Sequence, residues 1–159
     1  MTPERELHIV AEDLAFANGV VISPDGARLY LAETMISAVK AYDIGTDGML
    51  GTGRIVADFT GESRIDGMTM DADEGCWACL LDTDRVVRVA RGGERTHAVV
   101  VPDSEPVACT IGGKDGSELY ITAIEALHGK NIFEEMMAGR VRANIWCATI
   151  PFTKGQARP

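Results

Sequence analysis

The feature that most constrains this chain is a hairpin signature that recurs three times. In each copy, an alternating strand ends in an acidic residue and a glycine, and a second apolar strand follows. A strand closed by such a turn predicts a two-stranded antiparallel unit. The first strands with their turns lie at 18–26, 66–75 and 107–116, and the second strands lie at 29–32, 76–79 and 119–122.

A third strand follows each hairpin, at 38–43, 85–89 and 143–148, and weaker outer strands follow near 53–57 and 96–101. The step from Asn18 to Asp66 is 48 residues and that from Gly75 to Gly116 is 41, which is the period of four-stranded propeller blades. We therefore predict an all-β fold, about three blades of a β-propeller, with a short helical insertion near 124–137. A sandwich or open meander is the structural alternative, although it is not expected to repeat one turn signature so closely.

Composition limits the partners of the chain. Its 159 residues include 24 acidic and 15 basic side chains, a net charge of −9, which repels nucleic acid and anionic lipid. We expect no nucleic-acid partner and no membrane partner, so small molecules and cations are the better candidates. The first twenty residues open with charges and hold no long apolar run, which predicts neither a secretory signal nor a membrane span and favours a cytoplasmic location.

The four cysteines are too few for a secreted disulfide framework, and we expect them to be reduced. Cys76 and Cys79 have the spacing of redox and zinc motifs. They fall in a predicted strand, however, where residues three apart face opposite sides of the sheet. We therefore interpret them as packed core residues.

An ordered set of segments resembles the later half of the SMP-30/gluconolactonase/LRE-like family. Each piece is a common β-turn pattern, but the set with its spacing is specific and covers nearly the whole chain. The resemblance implies a single domain, 1–159, that forms part of a six-bladed propeller. The matching segments are 16–20, 23–26, 31–34, 65–68 with Trp77, 112–114, 117–122, and Asn144-Ile145-Trp146 with Lys154-Gly155.

The same resemblance implies one divalent cation at the mouth of the central channel, held by a glutamate, an asparagine and an aspartate from different blades. Asn18 matches the asparagine and Asp66 matches the aspartate. Equivalent positions on neighbouring blades converge at the axis, where oxygen ligands suit calcium or magnesium and also accept zinc or manganese. The third repeat has Val107 or Ala108 there, and neither is a ligand.

A tight turn is the structural alternative for both residues, because Asn-Gly and Asp-Gly form turns readily. Two such pairs at the same position of successive repeats favour the metal site. Asp71 and Asp73 resemble a fragment of a calcium loop but lack its other ligands, so we interpret them as turn residues without a functional role.

The activity that the resemblance implies is metal-dependent hydrolysis of a sugar lactone, with Asp66 as a metal ligand or as the catalytic proton acceptor. Two alternatives remain: a related ester or organophosphate hydrolase, and a non-catalytic propeller segment that binds calcium or a partner. No nucleophile elbow, HExxH or phosphate-binding loop is present in the sequence. The three histidines are isolated along the chain, and we interpret them as surface or packing residues: His8, His97 and His128.

The sequence also departs from the family pattern. Residues 6–10 are predicted to be the outer strand of a preceding blade, so we expect the first half of the propeller, with the glutamate ligand, to be missing. Glu4, Glu6 and Glu12 are too close to Asn18 to replace that ligand. Three blades cannot close a ring, so we expect an incomplete lactonase fragment, or self-association that completes the propeller.

Overall fold

The computed structural model describes residues 7–127 and 129–155, in which eleven strands form three antiparallel sheets. We call these sheets the first, second and third blades, and the predicted all-β propeller fold is confirmed. The first blade contains β1 (Ala17–Ile22), β2 (Arg28–Glu33), β3 (Ala38–Asp43) and β4 (Arg54–Asp58). The second contains β5 (Ile65–Met70), β6 (Cys76–Leu80), β7 (Arg85–Val89) and β8 (Arg95–Val100). The third contains β9 (Ser104–Gly112), β10 (Glu118–Glu125) and β11 (Ala143–Thr149).

The three predicted hairpins are β1–β2, β5–β6 and β9–β10. Their turns use backbone conformations with positive φ, which glycine adopts at least cost. Gly26 (φ 74°) and Gly116 (φ 69°) supply this conformation in the first and third hairpins, whereas Glu74 (φ 60°) supplies it in the second. The acidic glycine turn is therefore repeated in the structure, except that glutamate takes the place of glycine at the positive-φ position of the second hairpin.

Two apolar cores fill the seams between the blades, and the second blade separates them. Residues along β6 alternate between the cores, because successive side chains of a strand point to opposite faces. Cys76, Ala78 and Leu80 lie in the core shared with the first blade, and Trp77 and Cys79 lie in the core shared with the third. The prediction that the two cysteines are packed on opposite sides of the sheet is confirmed.

The helical insertion is present but begins later than predicted. The helix α1 (Ile132–Met137) lies in the connection between β10 and β11, and Asn131 caps it by accepting hydrogen bonds from the amides of Phe133 and Glu134. Ile124, which the sequence placed in the helical region, instead belongs to β10. There it pairs with Ala143 and is buried.

The predicted strand at the start of the chain is not found where the structure describes it. Residue 6 lies outside the described residues, and residues 7–10 are exposed and form no strand. Alternation of apolar and polar residues alone does not make a strand, since backbone groups need a partner strand for hydrogen bonding. No helix in the described ranges has the length and apolarity needed to cross a bilayer.

Candidate metal centre

The candidate centre is built by a β-bulge in the innermost strand of each blade. In β1, Ala17 pairs with Glu33 and Val20 pairs with Leu31, so Asn18 and Gly19 together oppose one residue. A bulge bends its strand and re-aims the side chains at that point.

The other two inner strands repeat this irregularity at the matching position. In β5, Ile65 pairs with Leu80 and Met68 pairs with Ala78, which leaves Asp66 and Gly67 in the bulge. In β9, Pro106 pairs with Ala123 and Ala108 pairs with Thr122, so Val107 is the extra residue. Asn18, Asp66 and Val107 are therefore structural equivalents.

Glycine after each polar residue lets the inner strands approach one another closely. A Cβ atom on Gly19 would lie 2.6 Å from the backbone nitrogen of Met68, and one on Gly67 would lie 2.8 Å from the Cα atom of Ala108. Both distances are below those at which a real Cβ atom is found. The β1, β5 and β9 strands thus converge at the level of Asn18 and Asp66, as the propeller prediction requires.

The Asp66 carboxyl lies half-buried at this convergence. Burial raises its pKa above the usual value, and the Asn18 side chain and the positive charge of Arg64 offset only part of this rise. A Cβ atom on Gly19 would lie 2.8 Å from the carbonyl oxygen of Asp66, so the structure brings the two predicted site residues close together.

Hydrogen bonds fix the orientation of Asn18. Its Nδ2 donates to Oγ1 of Thr34 at 3.3 Å, and that hydroxyl donates to the carbonyl oxygen of Ile65 at 2.7 Å. This chain of bonds ties the polar residue of the first blade to the backbone beside Asp66. The arrangement places an amide and a carboxylate on neighbouring inner strands, and their oxygens are a donor set for a hard cation.

These two residues fit such a cation but do not complete its coordination. Calcium takes six to eight oxygen ligands and magnesium six. In residues 7–127 and 129–155, no group of three His, Cys, Asp or Glu side chains could hold a metal ion, and the third equivalent position is Val107. Further ligands would come from water, from backbone carbonyl oxygens, or from groups outside these three blades.

A buried ion pair lies beside the centre and was not predicted. Glu33, 1% exposed, lies opposite Ala17 at the end of β2. One of its carboxylate oxygens contacts the Lys40 ammonium at 2.5 Å, and the other accepts from the amide of Ala15 at 2.7 Å. Burial raises the pKa of Glu33, but Lys40 and the amide outweigh it, so the net pKa is lowered. Glu33 is thus an ionised anchor for the segment that leads into β1.

Asp71 is a turn residue, as predicted, but it is also the centre of a buried ion pair. It accepts from the backbone amides of Asp73 and Gly75, from the indole nitrogen of Trp77 at 2.9 Å, and from Nε of Arg88 at 2.6 Å. The guanidinium of Arg88 also lies 3.8 Å from the centre of the Phe152 ring. This network is structural, because it lies at the turn end of the hairpin, away from the bulge.

Three of the remaining candidates lie in the described part of the chain. His97 packs its ring edge-on against Phe152, which agrees with a packing role. His8 and Glu12 are exposed. Glu4, Glu6 and His128 lie outside the described residues.

The three four- and three-stranded blades, with their inner strands side by side, define part of a β-propeller. The family model described as the SMP-30/gluconolactonase/LRE-like region matches residues 1–125. The chain belongs to this SMP-30/gluconolactonase/LRE-like family.

Curated relatives agree with this assignment. A 6-deoxy-6-sulfogluconolactonase of Pseudomonas putida is 30% identical over 122 residues, which cover 76% of this chain and 42% of that protein. Regucalcin of Bos taurus is 28% identical over 143 residues, covering 87% and 48%. An L-arabinolactonase of Azospirillum brasilense is 30% identical over 110 residues, covering 69% and 36%. The chain therefore spans about half the length of the first two relatives and about a third of the last.

Solved structures show the same fold. A luciferin-regenerating enzyme superposes with a TM-score of 0.74 at 21% identity, covering 91% of this chain and 48% of that one. A calcium-binding protein, regucalcin, from Agrobacterium tumefaciens superposes with a TM-score of 0.73 at 22% identity, covering 92% and 50%.

Proposed function

We propose that this protein is a metal-dependent lactonase that opens sugar lactones, with Asn18 and Asp66 as two of the ligands of one divalent cation. The observation that carries the proposal is the repeated bulge, which brings an amide and a carboxylate together at equivalent positions of adjacent blades. The names of two relatives, a 6-deoxy-6-sulfogluconolactonase and an L-arabinolactonase, support a lactone as the substrate.

Ring opening adds water to the lactone carbonyl and breaks the ring C–O bond. A cation at this position would polarise the carbonyl oxygen and lower the pKa of a bound water. With the cation bound, the Asp66 carboxylate would either hold the cation or accept the proton lost by the water. Asn18, whose Nδ2 is held by Thr34, would offer its amide oxygen to the same cation.

The cation we propose is calcium, magnesium, zinc or manganese. An amide and a carboxylate suit the first two, and all four accept these ligands. The description of the Agrobacterium regucalcin as a calcium-binding protein supports calcium as the first to test.

The test is a titration of the 159-residue chain with calcium and with zinc, followed by an assay of D-glucono-δ-lactone hydrolysis. Asp66→Asn is expected to weaken metal binding at least about tenfold, because it removes the charge that attracts the cation. Asp73→Asn, at an exposed turn position, removes the same charge away from the centre and is the matched control. Unchanged affinity in Asp66→Asn would remove Asp66 from the site.

A second candidate is a non-catalytic propeller that binds calcium. Two observations favour this candidate. Val107 supplies no donor at the third equivalent position, and several relatives of the chain are regucalcins. Calcium binding without hydrolysis of any lactone would support this candidate. Hydrolysis of an aryl ester or a phosphotriester, but not of a lactone, would instead support the other alternative, a related ester or organophosphate hydrolase.

We also propose a cytoplasmic location. The four cysteines are free thiols, and free thiols are typical of a reducing compartment. Measuring the fraction of reduced thiols in protein taken directly from cells tests this part of the proposal.

A further inference from the structure

A polar groove of about 410 Å³ opens between the second blade and the long connection that carries α1. Its walls come from the residue before β5, the turn after β6, the start of β9, and the segment around the first turn of α1. The groove is lined by Arg64, Leu81, Asp82, Glu105, Leu127, Gly129, Lys130, Asn131, Ile132 and Phe133.

The repeat places this groove next to the candidate metal centre. Arg64 lies two residues before Asp66, and Glu105 lies two residues before its equivalent, Val107. Two residues of a strand span roughly 7 Å. Both side chains therefore lie about that far from the bulges, toward the start of each inner strand. The charge of Arg64 acts on Asp66 and on Glu105, which agrees with this placement.

The polar side chains of the groove are held in place by neighbours. Nε and Nη2 of Arg64 donate to the two carboxylate oxygens of Asp82 at 3.0 and 2.5 Å. One carboxylate oxygen of Glu105 accepts from the amide of Leu127 at 3.1 Å. A guanidinium has five N–H donors and a carboxylate two oxygens, so each group retains capacity for a ligand while its orientation is fixed.

The charge and shape of the groove indicate what it can bind. Arg64 and Lys130 balance Asp82 and Glu105, so the lining carries no net charge and does not favour an anion. Phe133 is 73% exposed at the rim, and its amide is fixed by the side chain of Asn131 at 2.9 Å. An exposed aromatic ring beside hydrogen-bonding pairs suits a molecule with an apolar C–H face and many hydroxyl groups.

We propose that this groove binds the hydroxyl-bearing ring of a neutral sugar lactone while its carbonyl lies at the candidate metal centre. Phe133 contacts the C–H face of the ring, and Arg64 and Glu105 hydrogen-bond to its hydroxyls. This inference rests on the proposed lactonase function, whose substrate it specifies as a neutral polyhydroxylated ring.

The experiment is a backbone-amide NMR titration of the 159-residue chain with 1,5-anhydro-D-glucitol, which keeps the ring hydroxyls and lacks a carbonyl. We expect the amide signals of Leu127 and Phe133 to shift. Phe133→Ala should weaken binding about threefold to tenfold, as expected for the loss of one ring contact. Met137→Ala, at an 89% exposed position of the same helix outside the groove, is the matched control and should bind as the unchanged chain does.

A second ligand and a second variant separate this inference from the proposed function. Asp66→Asn should bind the sugar as the unchanged chain does, because the groove does not need the cation, even though it loses metal binding. Equal affinities for Phe133→Ala and Met137→Ala would overturn the inference. Tighter binding of methanesulfonate than of the sugar at the same amides would also overturn it, since the groove would then be an anion site.

Discussion

Asp66 is a residue at which function and stability oppose each other. Its carboxylate is the strongest candidate ligand of the centre, yet burial disfavours its charged form. The folded chain therefore holds the Asp66 proton more tightly than the unfolded chain does. By linkage, the contribution of this group to the free energy of unfolding falls as pH rises from the ordinary aspartate pKa of 3.8 through the raised pKa of the folded state.

We expect Asp66→Asn to remove this pH dependence. In metal-free buffer, the urea midpoint of Asp66→Asn should rise relative to that of the unchanged chain as pH increases from about 3 to about 7. The difference should level off once Asp66 is ionised in both states. The raised pKa would be contradicted if the urea midpoint of the unchanged chain rose relative to that of Asp66→Asn over this pH range.

Asn18 and Asp66 could be chosen from sequence because their positions repeat and because the family resemblance gives them a role. Asp71 could be assigned only to its turn. Its partner Arg88 lies 17 residues away, on a different strand, and no local pattern specifies which buried arginine meets which carboxylate. Arg64 and Glu105 were also missed, although their common spacing from the bulge positions was a signal in the sequence.

At the scale of elements, turns were predictable and bulges were not. Each hairpin has an acidic residue and glycine at its turn, and turn chemistry acts locally. A bulge depends instead on how many residues lie between two ladder pairs, which is set by the partner strand. The same limit explains why Ile124 was assigned to the helical region, since its place in β10 depends on pairing with β11.

The close approach of the inner strands makes a prediction about Gly67. A methyl group at this position would lie 2.8 Å from the Cα atom of Ala108, so the second and third blades would have to separate. Gly67→Ala is expected to lower the free energy of unfolding by about 1 to 3 kcal/mol, as overpacking does. Urea denaturation measures this change.

The matched control is Gly51→Ala. Its added Cβ would lie 3.6 Å from the carbonyl oxygen of Asp43, an ordinary contact. Equal losses of stability in the two variants would show that close approach is not what selects glycine at position 67.

At the scale of the whole molecule, residues 7–127 and 129–155 leave one apolar face of the first blade and one of the third blade uncovered. Val20 and Ile22 are both 55% exposed on the first blade, whereas Val21 between them packs against the core. On the third blade, Ile145 is 75% exposed beside Ala108, in a shallow apolar depression. In a closed propeller, such faces pack against neighbouring blades.

We expect the 159-residue chain to self-associate through these faces. Light scattering after size-exclusion chromatography should give a mass above that of one chain, because uncovered apolar faces favour association. Ile145→Glu should lower the associated fraction, whereas Met137→Glu, an 89% exposed position of α1, should not. A single-chain mass for the unchanged protein at all concentrations would contradict this expectation.

The alternation of β6 between two cores has a practical consequence. Cys76 belongs to the seam with the first blade and Cys79 to the seam with the third. Both thiols are fully buried, burial raises the pKa of the Cys76 thiol, and both the Cys109 thiol and burial raise that of Cys79. We therefore expect each thiol to react only when its own seam opens. Labelling of Cys76 by a thiol reagent would therefore report separation of the first blade from the second. Labelling of Cys79 would report separation of the third blade from the second.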